Sequence, residues 1–185
     1  MVLKQRFAAL TLLLTAVSAA PAYADTWTVD ADQSRLGFEV KQGDSILKGV
    51  FGTWTADIEF DPDAPGSAAI SATVNPASAS TGNPQFDGTL TSKDWFDVSA
   101  FPDAVFEADG ATLVEGSSYR TKGTLSIKGL SHPVDLDFTL EIDGDTATAK
   151  GTATLSRLDY KLGTGVGTDT VGDAVTVTLD LTATR

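Results

Sequence analysis

Residues 134–142 read VDLDFTLEI, a strict alternation of apolar and polar side chains. Successive side chains of an extended chain point to opposite faces, so this stretch has one apolar and one polar face. The same alternation recurs in longer runs at 119–128 and 175–182, and in shorter runs at 36–40, 54–60 and 68–74. The chain is therefore predicted to be an all-β protein in which each strand turns one face toward a core.

Short turn signals separate these runs. They lie at 42–44, 62–66, 108–110, 128–129 and 143–145, and each contains a glycine. Strands joined by such tight connections pair antiparallel with their neighbours. Closure into an up-and-down β-barrel of about eight strands buries the apolar face and leaves no edge, so we expect this architecture, with a two-sheet sandwich as the alternative. Residues 84–97 are expected to hold a short helix or a structured loop.

Residues 1–24 have the composition of a secretory signal. Lys4 and Arg6 precede an uncharged apolar run over 7–20, and Ala22-Tyr23-Ala24 places small residues at the two positions that a signal peptidase reads. The apolar run is shorter than the roughly 20 residues that a membrane-spanning helix needs. We therefore expect export with cleavage after Ala24.

The mature chain, residues 25–185, is expected to form a single domain, and it is strongly acidic. The signal holds two of the 13 basic residues and none of the 25 acidic ones, so 11 basic and 25 acidic residues give a formal charge of −14. Such a surface repels phosphate backbones, which argues against a nucleic-acid partner. The absence of cysteine excludes disulfides and thiolate chemistry.

Catalytic motifs are lacking as well. His132, predicted in a turn ahead of Pro133, is the only histidine of the sequence, so a nucleophilic triad or a transition-metal site lacks parts. Paired aspartates occur in turns, where Asp commonly caps backbone groups, and none begins the ligand series of a calcium loop. We expect no enzyme activity, no metal and no cofactor.

The predicted inward rows decide whether the barrel is filled or hollow. Small residues would line one strand and part of another, at Ala147, Ala149, Gly151 and Ala153 and at Ala68 and Ala72. Eight strands enclose a space that large side chains just fill, whereas small ones leave room for a ligand. We favour a cavity, and a core filled by aromatic side chains from across the barrel is the alternative.

An aperiodic aromatic segment, SKDWFDVSAFPDAVFEAD at 92–109, interrupts the alternation. Trp95, Phe96 and Phe101 are too irregularly spaced for a strand and too apolar for solvent. We expect them to fold over one end of the barrel and to line the cavity or its entrance. Burial of each ring contributes on the order of 2 kcal/mol. A purely structural plug without a ligand is the alternative.

Two basic residues stand out in RLDYKLGTG at 157–165. At a barrel mouth, the guanidinium of Arg157, with Lys161 four residues on, could grip a carboxylate or phosphate headgroup. A surface ion pair between Arg157 and an acid such as Asp159 is the alternative. The residues alone favour neither.

Six phrases follow one another along the mature chain: WTVDADQSRLGFEV, LKGVFGTW, TGNPQFDGTLTSKDWFDVSAFPDAVFE, GTLSIKGLSHPV, RLDYKLGTG and VGDAVTVTL. In order and spacing, they resemble the YceI-like family of bacterial exported proteins. The resemblance implies a lipocalin-like barrel in the periplasm, whose long hydrophobic interior holds an extended lipid such as a polyisoprenoid. It also implies no assigned reaction and, for some members, a cytochrome b561-type membrane partner.

The chain departs from the family pattern at two positions. Thr89 stands in the FDGTL phrase where members often carry histidine, and Lys41 stands where they often end a strand with histidine. If those histidines help to hold a headgroup, the ligand preference of this chain differs.

The leading hypothesis is non-catalytic binding, for carriage or storage, of a long amphiphilic molecule such as a polyisoprenoid, a quinone precursor or a fatty acid derivative. Its predicted contacts are Phe38, Phe51, Trp54, Phe60, Trp95, Phe96, Phe101, Phe106, Phe138, Arg157 and Lys161. A register slip of one residue would turn any of these rows outward. The alternatives are an interaction module for the redox partner and a hydrolase or isomerase that uses Asp87, Asp159 and Arg157. A monomer and a dimer are both open.

Overall fold

The computed structural model describes residues 24–185, and the predicted signal segment before Ala24 lies outside the described residues. Within 24–185 there are twelve strands, one α-helix, α1 (Pro84–Leu90), and two short 3₁₀ turns, Pro65–Ser67 and Pro76–Ser78. The strands are β1 (Asp25–Val29), β2 (Arg35–Gln42), β3 (Ser45–Phe51), β4 (Trp54–Phe60), β5 (Ala69–Val74), β6 (Ala79–Ser80), β7 (Ala104–Asp109), β8 (Thr112–Glu115), β9 (Ser118–Ile127), β10 (Leu130–Asp143), β11 (Thr146–Ser156) and β12 (Val171–Thr184). No helix in this part of the chain is long and apolar enough to cross a membrane.

Eight strands close into an antiparallel barrel. Around the ring they follow the order β1, β4, β5, β7, β9, β10, β11 and β12, and β12 returns to β1 through the pairs Ala183–Val29 and Thr184–Thr28. The strand β8 lies off this ring, paired with β9. The predicted all-β, up-and-down barrel of about eight strands is confirmed, and the sandwich is excluded.

A hairpin of β2 and β3 extends the wall at one end of the barrel. The strand β12 pairs with β1 only at its C-terminal end, whereas its residues 171–180 pair with β2. The strand β3 pairs onward with the two-residue β6. We call this end, where α1 and residues 91–103 connect β6 to β7, the upper end, and the end at β1 the lower end. The helix α1 confirms the predicted short helix.

The turn between β9 and β10 lies at 128–129, as predicted, but the turn position predicted for His132 is wrong. Lys128 and Gly129 alone form this turn, with φ of 53° and 73°, as a two-residue hairpin turn of this kind requires. His132 and Pro133 therefore lie inside β10. Because β10 pairs with β11 from Leu136 onward, the missing N–H of Pro133 removes no bond to that strand.

The apolar rows face inward and form two packed clusters. The lower cluster is built on aromatic rings: the centroids of Phe60 and Tyr119 lie 5.3 Å apart, edge to face, and those of Tyr119 and Phe138 lie 5.5 Å apart, stacked. The upper cluster contains Ala104, Ile127, Val134, Leu155, Tyr160 and Leu162. The predicted small residues, such as Ala147 and Gly151, are buried in the wall, so they add little bulk to the interior.

Candidate functional site

An apolar cavity of about 140 Å³ lies inside the upper end of the barrel, under α1 and residues 91–97; we call it the upper cavity. Its lining includes Phe38, Val40, Gln42, Leu47, Phe51, Thr81, Phe86, Thr89, Leu90, Trp95, Phe96, Ile127, Leu155, Arg157, Leu162, Val171 and Val175. Among these residues, the side chains with polar groups are Gln42, Thr81, Thr89, Arg157 and, through its indole N–H, Trp95. Such a lining suits an apolar molecule with a small polar group.

Asp87 fastens α1 over this cavity. Its carboxylate accepts hydrogen bonds from the backbone N–H of Thr81 (2.6 Å), the hydroxyl of Thr81 (2.7 Å) and the hydroxyl of Ser80 (3.0 Å). These bonds, led by that from the Thr81 N–H, hold the pKa of Asp87 below its ordinary value of 3.8. The side chain of Asn83 caps the helix by accepting from the N–H of Gln85 (3.0 Å). The start of α1 is thereby fixed beside β6.

Trp95 closes the cavity by resting on the loop 157–170. Its ring lies so close to Gly163 that an added Cβ there would be 2.6 Å from the ring carbon Cζ2. The N–H of Gly163 donates to the carbonyl of Asp94 (2.6 Å), and the guanidinium carbon of Arg157 lies 5.8 Å from the ring centroid of Trp95. Gly163 has a φ of +61°, which glycine adopts at little cost. Trp95 thus joins the segment 91–97 to this loop.

Phe96 continues the lining in an aromatic row with Phe51 and Phe38. The ring centroids lie 6.2 Å apart for Phe96 and Phe51, and 5.2 Å apart for Phe51 and Phe38. Phe101 is outside this row and outside the cavity lining, because its ring packs against Gly129 in the turn between β9 and β10. Two of the three aromatic residues of the connection therefore reach the cavity.

Arg157 is buried, with 1% of its surface exposed, and every donor of its guanidinium is bound. An arginine side chain has five N–H donors. At distances of 2.7–3.0 Å they meet the carbonyls of Leu162, Gly163, Val166, Val171 and Gly172. The guanidinium thus presents no free fork at the mouth and forms no surface ion pair with any described residue, so its contacts match neither of the two interpretations that the sequence left open. Arg157 instead holds the loop 157–170 and the start of β12 together while one side of it lines the cavity. Whether Arg157 contacts a ligand stays a prediction.

The remaining polar positions divide between the cavity and the surface. Lys161 is exposed and lies outside the cavity lining. Thr89, at one of the positions where the family often has histidine, lines the cavity. Lys41, at the other, is exposed and alternates along β2 with the lining residues Val40 and Gln42. Only the first departure from the family pattern therefore changes the cavity itself.

A second apolar cavity, of about 70 Å³, lies in the lower end of the barrel, and we call it the lower cavity. Phe60 and Phe138 line it, so the predicted contacts are split between two spaces. Trp54 and Phe106 line neither: Trp54 packs against the lower cluster and Phe106 against the upper one. Whether any of these residues touches a ligand stays a prediction.

Tyr160 is a buried residue that the sequence did not single out. It is 1% exposed, and its hydroxyl has no hydrogen-bond partner among the described residues. Burial, followed by the charge of Asp159, raises the pKa of Tyr160 to about 12. The His132 ring packs edge-on against it, with centroids 5.0 Å apart. No period marks this residue, because it belongs to an irregular loop.

The carboxylates named for catalysis do not line the upper cavity. The carboxylate of Asp87 is engaged by β6 and the residue after it, and Asp159 is exposed. Within residues 24–185, no group of three or more His, Asp or Glu side chains is placed to hold a metal ion. The site thus offers shape and apolar surface, with few ionisable groups.

Comparison with known proteins agrees with this geometry. The model of the YceI-like domain matches residues 27–183. A UPF0312 protein of Pseudomonas aeruginosa (strain LESB58) is 29% identical over 174 residues, which cover 89% of this chain and 91% of the relative. A UPF0312 protein of Pseudomonas syringae pv. syringae (strain B728a) is 27% identical over 167 residues, which cover 85% and 87%.

Two solved structures share the fold. The crystal structure of Burkholderia cenocepacia BcnA has a TM-score of 0.80 and 29% sequence identity, and the match covers 84% of this chain and 99% of that one. A polyisoprenoid binding domain from Saccharophagus degradans, implicated in plant cell wall breakdown, has a TM-score of 0.67 and covers 88% and 99%. At 16% identity, this second likeness speaks for the fold alone.

Proposed function

This chain belongs to the YceI-like domain family, and we propose that it binds a long amphiphilic molecule, a polyisoprenoid or a related lipid, without catalysing a reaction on it. The observation that carries the proposal is the upper cavity, an apolar space in the barrel covered by Trp95 and Phe96. The binding free energy of an apolar chain becomes more favourable in proportion to the apolar surface area that binding removes from water. The sparse polar lining offers few groups for chemistry.

Binding a long chain requires the upper end to open. A cavity of about 140 Å³ is close to the engineered cavity of about 150 Å³ that accommodates benzene. We therefore propose that residues 91–97 move away from the loop 157–170 when the ligand enters, while Asp87 keeps the start of α1 beside β6. The contacts that this movement breaks are the ring of Trp95 against Gly163 and the bond from Gly163 to Asp94.

The polar end of the ligand is proposed to lie beside Gln42 and Thr89. The donors of Arg157 are all bound to backbone carbonyls, so a headgroup would have to break these bonds to reach them. Gln42 and Thr89 supply an amide and a hydroxyl among the lining residues. Lys161, exposed on the loop 157–170, is the proposed outer contact for an anionic headgroup.

The proposal places this activity in the periplasm. Its support is the basic start, the apolar run over 7–20 and the small residues before the predicted cleavage site at Ala24. Intact-mass measurement of the protein from a periplasmic extract checks it, with Asp25 as the expected first residue. Recovery of the full-length mass in the cytoplasmic fraction would contradict it.

A matched pair of variants tests where the lipid binds. Val175→Phe adds a ring inside the upper cavity, whereas Val114→Phe adds the same ring at a position that is 61% exposed and away from it. Farnesol or a longer polyprenol is titrated against each protein while tryptophan emission is recorded, since Trp95 lines the cavity. We expect Val175→Phe to weaken binding by about tenfold or more, which is about 1.4 kcal/mol. Equal binding by all three proteins would show that the ligand lies elsewhere.

The alternative function, an interaction module for a cytochrome b561-type membrane protein, gives a different result in the same titration. It would leave the tryptophan emission unchanged at every prenol concentration. A wild-type protein that binds none of the prenols but binds the purified membrane partner would favour that alternative. The acidic surface of the mature chain, with formal charge −14 from 11 basic and 25 acidic residues, would then be the docking face for basic residues of the partner.

A further inference from the structure

The upper and lower cavities occupy one barrel but share none of their lining residues. Along β12, Val171 and Val175 line the upper cavity, and Leu179 and Leu181 line the lower one. A strand rises about 3.3 Å per residue, so Val175 and Leu179 lie roughly 13 Å apart along the chain. Val177 is the inward residue between them. On this strand, one inward side chain thus separates the lining residues of the two cavities. We call the inward residues between the two cavities, on all strands, the dividing layer.

Small residues form this dividing layer on β4, β5 and β11, whereas Leu125 on β9 and Val177 on β12 contribute larger apolar side chains. In the register of β7 with β5, Phe106 pairs with Ala72, and in the register of β5 with β4, Ala72 pairs with Ala56. On β11, Gly151 and Ala153 lie between the lining residues of the two cavities. Phe106 is therefore an aromatic side chain of a layer whose residues on β4, β5 and β11 are alanine or glycine, and its partner on β9 is Leu125.

The ring of Phe106 packs at a defined position in this layer. It lies over Gly123 on β9, so closely that a Cβ added to Gly123 would overlap the ring. Gly123 is buried, and Phe106 packs with the upper cluster. Phe38 sits in the same way over Gly49, but Phe38 lines the upper cavity. Glycine on the neighbouring strand thus lets each ring lie flat against the inner wall.

We propose that Phe106 is the partition between the two cavities and that it sets how deep an apolar chain enters the barrel. With phenylalanine at this position, the tail of a ligand ends in the upper cavity. With a small side chain, the two spaces join, and the tail reaches the lower cavity beside Trp27 and Leu181. This assignment rests on the proposed function for its biological meaning, but the partition itself is a property of the barrel.

The first test compares prenols of increasing length, namely geraniol, farnesol and geranylgeraniol. Wild type, Phe106→Ala and Phe101→Ala are measured, because Phe101 has the same side chain but packs against Gly129 in the turn between β9 and β10, away from the dividing layer. We expect the affinity of wild type and of Phe101→Ala to level off along the series. For Phe106→Ala it should keep rising, on the order of tenfold for the last added isoprene unit. A length profile identical to that of wild type would overturn the partition.

The second test needs no lipid. Xenon enters dry apolar cavities, so crystals of wild type and Phe106→Ala are examined under xenon pressure. We expect two separate xenon sites in wild type and one continuous site in the variant. Two sites that stay separate in Phe106→Ala would refute the partition even if the prenols bind. Merged sites in a protein that binds no prenol would support the partition and refute the proposed lipid binding.

A more conservative variant keeps the proposal testable if Phe106→Ala does not fold. Phe106→Leu keeps an apolar side chain of intermediate size at the same position. We expect its xenon sites to be bridged in part and its preferred prenol to be longer than that of wild type. A Phe106→Leu protein that matches wild type in both readouts would contradict the assignment.

Discussion

The contact between Gly163 and Trp95 makes a quantitative prediction for Gly163→Ala. Gly163 has a φ of +61°, and an added Cβ would lie 2.6, 2.8 and 2.9 Å from three carbons of the Trp95 ring. The left-handed backbone costs alanine about 1 kcal/mol relative to glycine. Displacing a packed ring costs about 1 to 3 kcal/mol more. We therefore expect a free energy of unfolding that is lower by about 2 to 4 kcal/mol.

Thermal unfolding followed by calorimetry measures this loss. In a domain of this size, 1 kcal/mol corresponds to about 2 to 4 °C, so the melting temperature should fall by about 5 to 15 °C. Gly165→Ala is the matched control, because it changes the same loop at a position where an added Cβ meets no atom within 4 Å. We expect this control to stay close to wild type. Equal melting temperatures for all three proteins would refute the closure of the cavity by Trp95.

Three further predictions concern polar groups at the upper end. Arg157→Met should lower the free energy of unfolding by about 3 to 5 kcal/mol in urea titrations, since several buried carbonyls lose their donor. The control is Arg35→Met at an exposed site, and a smaller loss for Arg157→Met than for this control would contradict the account. Tyr160→Phe should raise it by about 1 kcal/mol, since the buried hydroxyl has no partner among the described residues; a clear decrease would mean that this hydroxyl is hydrogen-bonded in solution. Asp87→Asn should be less stable than wild type at neutral pH. Because folding lowers the pKa of Asp87 below 3.8, the ionised carboxylate stabilises the fold above that pH, and this stabilisation is lost as the pH falls through the lowered pKa. A difference in unfolding free energy between the two proteins that persists unchanged to the lowest pH would argue against this role.

The barrel follows from the sequence because burial on alternate residues is a local property of a strand. The run 134–142 and its repeats identify the inward rows, and the glycine turns between them leave few ways to connect neighbouring strands. The covering of one end could be predicted too, since Trp95 and Phe96 have no period that would place them in the sheet. These features depend on residues that are close in sequence.

The role of Arg157 depends on the path of a loop, and no pattern in the sequence encodes that path. The carbonyls that it meets belong to residues 162–172, and a basic residue at a barrel end gives the same sequence signal whether its donors are free or bound. His132 was misplaced for a related reason: proline usually marks a turn, but Pro133 is tolerated where β10 has no partner on one side. Both depend on contacts between distant segments.

The division of the interior is also a matter of packing. The alternation over 119–128 predicts that Gly123 faces inward, but only the structure shows that the ring of Phe106 covers it. The sequence therefore predicts a barrel wall with small residues, whereas the sizes of the two cavities depend on where a few rings lie.

Native mass spectrometry of the protein, expressed with residues 1–24 and purified without detergent, tests the central claim most directly. We expect a persistent additional mass that organic solvent extracts, and that is lost in Val175→Phe but retained in Val114→Phe. A protein that carries no extractable mass, and that takes up none after incubation with polyprenols, would contradict lipid binding in this barrel.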